Sequence, residues 1–144
     1  DSARPFKSEA GWGKASLREG GIRVPMIATW PARIPAGTKS DLLSAFWDMM
    51  PTMCEVVGVE CPPTDGISML PTMLGKNDKQ QKHEFLYWEY PESGGQKAVR
   101  ISDWKAFVRN IREGNREVEL YNLATDPREQ QNVATEHPDV VKKY

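Results

Sequence analysis

Apolar positions fall in short blocks divided by glycine and proline, so the chain predicts many brief elements and no helical bundle. The run Val24-Pro-Met-Ile-Ala-Thr-Trp30, closed by Pro31, predicts a short buried strand. Asp48 stands before a helix over Met49 to Val57, with Pro51 in its first turn and Gly58 past its end; Met50, Met53, Val56 and Val57 share one face. After the turn cluster Cys61-Pro-Pro-Thr-Asp-Gly66, Ser68 caps a second short helix that Gly75 stops after Leu74.

Lys76 to Lys82 contains no apolar residue and marks the boundary between two parts, 1–75 and 76–144. Beyond it the pattern shifts to strands: Phe85–Tyr90, Lys97–Ile101, Trp104–Arg109 and Glu117–Tyr121. Ser102-Asp103 has the length of a tight hairpin loop, and Gly114-Asn115 makes another turn. These four strands predict an antiparallel meander, with alternation clearest in Trp104, Ala106 and Val108. Asp126-Pro127 opens a turn, and Pro138 to Tyr144 predicts a terminal helix with Asp139 near its start and Lys142 and Lys143 near its end. No internal repeat is present. The fold class is α+β.

Composition narrows the reading further. The 144 residues suffice for one ordinary domain or two small ones. Nineteen basic and twenty acidic residues leave a net charge of −1, which offers no field for a nucleic-acid partner. No apolar run approaches the ~20 residues of a membrane span. The opening Asp1-Ser-Ala-Arg-Pro-Phe-Lys7 has neither an initiator Met nor a signal-peptide profile, so the sequence reads as a fragment or a processed form.

The usual catalytic residue types are sparse. His83 sits in the polar connector, and His137 precedes a proline where a capping or surface role is the default. There is no nucleophile elbow, phosphate loop or calcium loop. Cys54 and Cys61 lack the paired spacings of a zinc site and read as unpaired cysteines, with Cys54 in a core. The residues alone supply no nucleophile with a base beside it.

The glycine-rich entry loop carries the strongest motif: Gly13-Lys14, four residues, then Glu19-Gly20-Gly21-Ile22-Arg23-Val24-Pro25. It resembles the type I, formylglycine-dependent sulfatases of the alkaline phosphatase superfamily. That family carries a lysine five residues before Glu-Gly-Gly, then Arg-x-Pro and a strand ending in Trp-Pro. Further blocks match in order: Asp48-Met-Met-Pro51-Thr52, Asp65-Gly66-Ile-Ser68-Met-Leu-Pro71, Tyr87-Trp88-Glu89, Ala98-Val99-Arg100, Trp104-Lys105, Glu119-Leu-Tyr-Asn-Leu123 and Asp126-Pro127-x-Glu129-x-x-Asn132. Together they cover the chain from about Gly13 to its end.

The resemblance implies the C-terminal portion of an α/β sulfatase that hydrolyses sulfate esters, of carbohydrates above all. Residues 1–75 would form the edge of the catalytic domain, and 76–144 a small subdomain of four antiparallel strands with a terminal helix. It implies a calcium ion and a formylglycine made from a Cys-x-Pro/Ser-x-Arg motif, both supplied upstream; neither Cys54 nor Cys61 fits that motif. Lys14 is the catalytic position that carries over, as a contact to the sulfate oxygens, where a fixed ammonium stabilises developing charge. Glu92 and Gln96, in and beside the Gly-rich loop after Tyr90, are candidate contacts to substrate hydroxyls. Glu19 and Arg23 are expected to pair across the double glycine, Asp48 and Asp65 to cap and turn, and Trp12 to pack on a sugar face or in a core or lid.

The implied partners are a sulfated carbohydrate or aryl sulfate and the N-terminal catalytic domain, in a periplasmic or extracellular enzyme. Without that domain the chain is expected to be inactive and to expose apolar surface at Val24–Trp30, Met50 and Met53. Two alternatives stand beside this reading. One is a phosphatase or phosphodiesterase of the same superfamily. The other is a non-enzymatic glycan- or protein-binding module, whose anionic ligand would meet only Lys14, Arg18 and Arg23.

Overall fold

A computed structural model describes residues 3–6 and 14–144. Its helices are α1 (Glu19–Ile22), α2 (Met49–Val57), α3 (Leu70–Met73) and α4 (Pro138–Val141), and its strands β1 (Leu86–Tyr90), β2 (Gln96–Ile101), β3 (Trp104–Arg109) and β4 (Glu119–Asn122). Two units form: Asp1–Val24 with Phe85–Tyr144, and Pro25–Glu84. These compact units meet along the chain at 24/25 and 84/85. The entry loop joins the sheet because its partners lie there.

The sheet is the meander its sequence predicts, in the order β1-β2-β3-β4 with every pair antiparallel. Ser102, at φ +51, makes the tight reversal between β2 and β3. Paired residues point to the same side of a sheet. The registers Trp88↔Ala98↔Phe107↔Glu119 and Arg100↔Lys105↔Tyr121 thus define one face, and Val99↔Ala106↔Leu120 and Ile101↔Trp104↔Asn122 the other. The first face carries the small apolar core, in which Leu17 packs on Ala98 and Phe107 with Ile22, Trp88 and Tyr90 around them.

The alternation in β3 misleads about depth. Trp104 and Val108 are half-buried, whereas Lys105 and Phe107, on the opposite face, are wholly buried. The entry loop covers that face, and its Glu19, with Glu129 from the turn after β4, neutralises the lysine. On the other face, the His137 and Trp104 rings meet edge-on with centroids 5.0 Å apart, and the Tyr144 hydroxyl donates to the Trp104 carbonyl at 3.2 Å. The terminal helix is a single turn, Pro138–Val141.

In Pro25–Glu84 the helix at Met49–Val57 has its predicted bounds, with Gly58 left-handed at its end. Asp48 makes no side-chain cap to it. The carboxylate instead accepts from Ala45 N at 2.7 Å, Ile67 N at 2.9 Å and His83 Nε2 at 2.8 Å, and is buried. Thr52 continues this polar centre, donating to the Asp48 carbonyl and accepting from Met69 N. Val24–Trp30 is not a strand: among the described residues no ladder partner pairs with it, since the four strands pair with one another. Ile27 there is 95% exposed, and Phe46, Met50, Met53 and Val57 are also exposed. Cys54 and Cys61 are unbonded and half-buried, so Cys54 is not a core residue. Burial and a hydrogen bond with Cys54 push the Cys61 thiol above its ordinary range.

Candidate functional site

Lys14 opens the described part of the entry loop and is exposed to solvent. The residues after it descend onto the core face of the sheet and are fixed there one by one. Ala15 takes a left-handed conformation at φ +68, unusual for a residue with a side chain. Its carbonyl receives Gln96 Nε2 at 3.4 Å, and Gln96 Oε1 accepts from Leu17 N at 2.9 Å. Leu17 then enters the core.

Arg18 is buried, its guanidinium 4.5 Å above the Phe107 ring. It donates to Tyr121 Oη at 3.0 Å and to Glu119 Oε2 at 2.7 Å, and Tyr121 donates in turn to Glu119. Burial and the bond to Glu119 raise the Tyr121 hydroxyl to about 12. For Glu119, burial pushes upward, but hydrogen bonds from Tyr121 and Arg18 and the charges of Arg18 and Arg109 outweigh it and hold the carboxyl below its usual range. Arg18 is therefore no part of an exposed anion patch.

Glu19 continues the descent. Lys105 Nζ lies 2.9 Å from Glu19 Oε1 and 2.9 Å from Glu129 Oε1, all three side chains being almost wholly out of solvent. Glu129 Oε2 also accepts from Glu19 N at 2.7 Å, at the start of α1. The expected Arg23–Glu19 pair exists at 3.7 Å, on the outer side of this cluster. Burial raises the Glu129 carboxyl, and Lys105 and the Glu19 amide recover part of that shift. Gly21 is required by sterics: a Cβ there would lie 1.9 Å from the Ser16 carbonyl oxygen.

The β1–β2 loop leaves from the strand ends beside Gln96. Glu92 is exposed in it and accepts from the Tyr90 hydroxyl at 3.0 Å. Gln96, by contrast, is 1% exposed, with its amide committed to the entry loop. Chain connectivity thus brings Lys14, Glu92 and Gln96 to one end of the sheet, with only the first two facing solvent. Asp65 is exposed in a turn. Trp12 and Gly13 lie outside the described residues.

The N-sulphoglucosamine sulphohydrolase C-terminal family model matches residues 8–143. The chain belongs to this sulfatase family. Among its relatives, N-acetylglucosamine-6-O-sulfatase of Bacteroides thetaiotaomicron is 32% identical over 139 residues, covering 89% of this chain and 24% of that protein. Arylsulfatase A of Bos taurus is 36% identical over 97 residues, covering 65% of this chain and 19% of that protein. The sulfatase-family chain thus spans only about a fifth to a quarter of these relatives' length. The crystal structure of Ps i-CgsB superposes with a TM-score of 0.79 at 27% identity, over 97% of this chain and 30% of that one. The same protein has also been crystallised with k-i-k-neocarrahexaose. The α+β architecture is thus that of the C-terminal part of an α/β sulfatase.

Calcium and formylglycine are typical of the family. The residues described here do not fit either group. Among them no three Asp, Glu, His or Cys side chains converge, and neither cysteine stands in a Cys-x-Pro/Ser-x-Arg motif. What this site offers is an ammonium on a loop held by buried ion pairs. Among the described residues no helix is long and apolar enough to cross a membrane.

The sequence pattern missed Arg18, Lys105, Glu119 and Glu129 as the groups that hold the loop. A signal was present in β3, where Lys105 shares a face with Phe107 inside an otherwise apolar strand.

Proposed function

We propose that this chain belongs to an exported sulfatase that hydrolyses sulfate esters of carbohydrates, and that Lys14 contacts the sulfate oxygens. The observation that carries this reading is the anchoring of the Lys14 loop. The three residues Leu17, Arg18 and Glu19 are each tied to a different sheet residue, Gln96, Tyr121 and Lys105, by a buried bond. Such anchoring fixes an ammonium in advance, and preorganised charge costs no rearrangement as the transition state forms. The carbohydrate preference draws on the N-acetylglucosamine-6-O-sulfatase relative, and Glu92, exposed at the same end of the sheet, would accept from a sugar hydroxyl.

Lys14→Met in the full-length enzyme tests the reading. It is expected to lower kcat/KM for an aryl sulfate by about 10²–10³, with the melting temperature unchanged. Unaltered turnover would remove Lys14 from the sulfate site. The 144-residue chain by itself is expected to turn over no aryl sulfate; metal-dependent hydrolysis by the purified chain would overturn that part.

A further inference from the structure

We infer that Gln96 is a positioning residue for Lys14, an inference that rests on the proposed sulfate contact. Gln96 is 1% exposed, and both ends of its amide are used: Oε1 accepts from Leu17 N at 2.9 Å and Nε2 reaches the Ala15 carbonyl at 3.4 Å. These bonds bracket Ser16 and end one residue from Lys14. A contact to a substrate hydroxyl would require an accessible amide with a free donor or acceptor. Gln96 instead works on the backbone that carries the ammonium.

Ala15 shows why the backbone needs this hold. Its φ of +68 lies where a Cβ crowds the chain, so the conformation lasts only if its surroundings enforce it. Leu17 N is buried with its side chain in the core, and without Gln96 that donor would be left unpaired. The anchors further on, Arg18 to Glu119 and Glu19 to Lys105, do not involve Gln96. Its loss should therefore release the Lys14 end of the loop and leave the rest attached. Displacements of about 1 Å in a charged contact are enough to cost up to ~10² in rate.

The test is a double-mutant cycle in the full-length enzyme with an aryl sulfate, measured well below each variant's melting temperature. Gln96→Met is expected to lower kcat roughly ten-fold with KM changed less than about three-fold, and to cost under about two-fold when Lys14 is already Met. An equal factor in both backgrounds, or none in the wild type, would overturn the positioning role. Lys14→Met without effect would sink the sulfate contact itself, and positioning with it. If Gln96→Met fails to fold, Gln96→Glu keeps an acceptor for Leu17 N and replaces the donor to Ala15 with a carboxylate oxygen that repels its carbonyl. Its kcat should fall in the same Lys14-dependent way, and an unchanged or Lys14-independent kcat overturns the inference.

Discussion

Lys105 and Glu19 stand 86 residues apart in sequence, yet their ammonium and carboxylate meet at 2.9 Å in a site closed to water. With Glu129 they form one cation between two acids, a buried arrangement whose desolvation cost is large and whose members depend on one another. Removing the lysine leaves two buried acids without the cation they share.

Lys105→Met should therefore be among the most damaging single changes in the chain. It leaves the buried Glu129 without its counter-ion and Glu19 with only Arg23, 3.7 Å away on the outer side. A loss of about 3–5 kcal/mol is expected, read as a lower urea midpoint. A midpoint within error of the wild type would refute the account of the cluster.

Glu129 sets a pH dependence whose sign is unusual for an acid. Its carboxyl is raised in the folded chain, so the native state binds its proton more tightly than the unfolded state. This contribution is favourable near and below the ordinary value of 4.5 and is lost as the pH rises through the folded value. Glu119 runs the other way: its lowered carboxyl stabilises above 4.5, and that contribution is lost as the pH falls. Urea midpoints of wild type minus Glu129→Gln should fall as the pH is raised above 4.5. The same difference for Glu119→Gln should rise as the pH is raised toward 4.5 and level off above it.

Arg18→Lys should not be conservative. A lysine cannot lie flat over Phe107 while donating to both Tyr121 and Glu119. A loss of about 1–3 kcal/mol is expected, measured by thermal or urea unfolding. Equal stability would mean that the planar fork is unnecessary.

Two glycines separate steric need from conformational need. Gly21→Ala drives a Cβ against the Ser16 carbonyl and should prevent the loop from docking. Gly37→Ala meets nothing within 4 Å and is strained only by its φ of +72, so it should cost about 1 kcal/mol. Hydrogen exchange at Leu17 and Arg18 amides should rise sharply in the first variant and not in the second.

The exposed apolar residues of Pro25–Glu84 should make the isolated chain self-associate. Ile27 and Phe46 are 95% and 75% exposed, far more than an apolar side chain needs to be. Light scattering and a hydrophobic dye should detect association, and Ile27→Ser with Phe46→Ser should reduce both signals. A dye-silent monomer would count against it.

The local elements were legible because their signals are local. Asp48 and Gly58 bracket α2 at its observed ends, and Ser102-Asp103 marks the β2–β3 reversal. The long-range pairs were not. Period-two alternation reports which residues share a face but not what covers that face, so Trp104 and Ala106 looked deeper than Lys105. Only the folded chain brings Glu19 and Glu129 to the lysine and makes its burial tolerable. Val24–Trp30 shows the opposite limit: its composition is that of a strand, but a strand also needs a neighbour to pair with. The Lys14 loop was legible as a motif of residue types, whereas the two backbone bonds of Gln96 that hold it are encoded by no such pattern.

The 110-residue separation of Glu19 and Glu129 also imposes an order of manufacture. A ribosome adding residues at ordinary speed needs on the order of 5–20 s to pass from one to the other. During that interval the Lys14 loop has emerged without its last anchor, and only completion of the C-terminal stretch closes the cluster. A translation product ending ahead of Glu119 would carry the whole Lys14 motif and none of the carboxylates that β4 and the turn after it contribute.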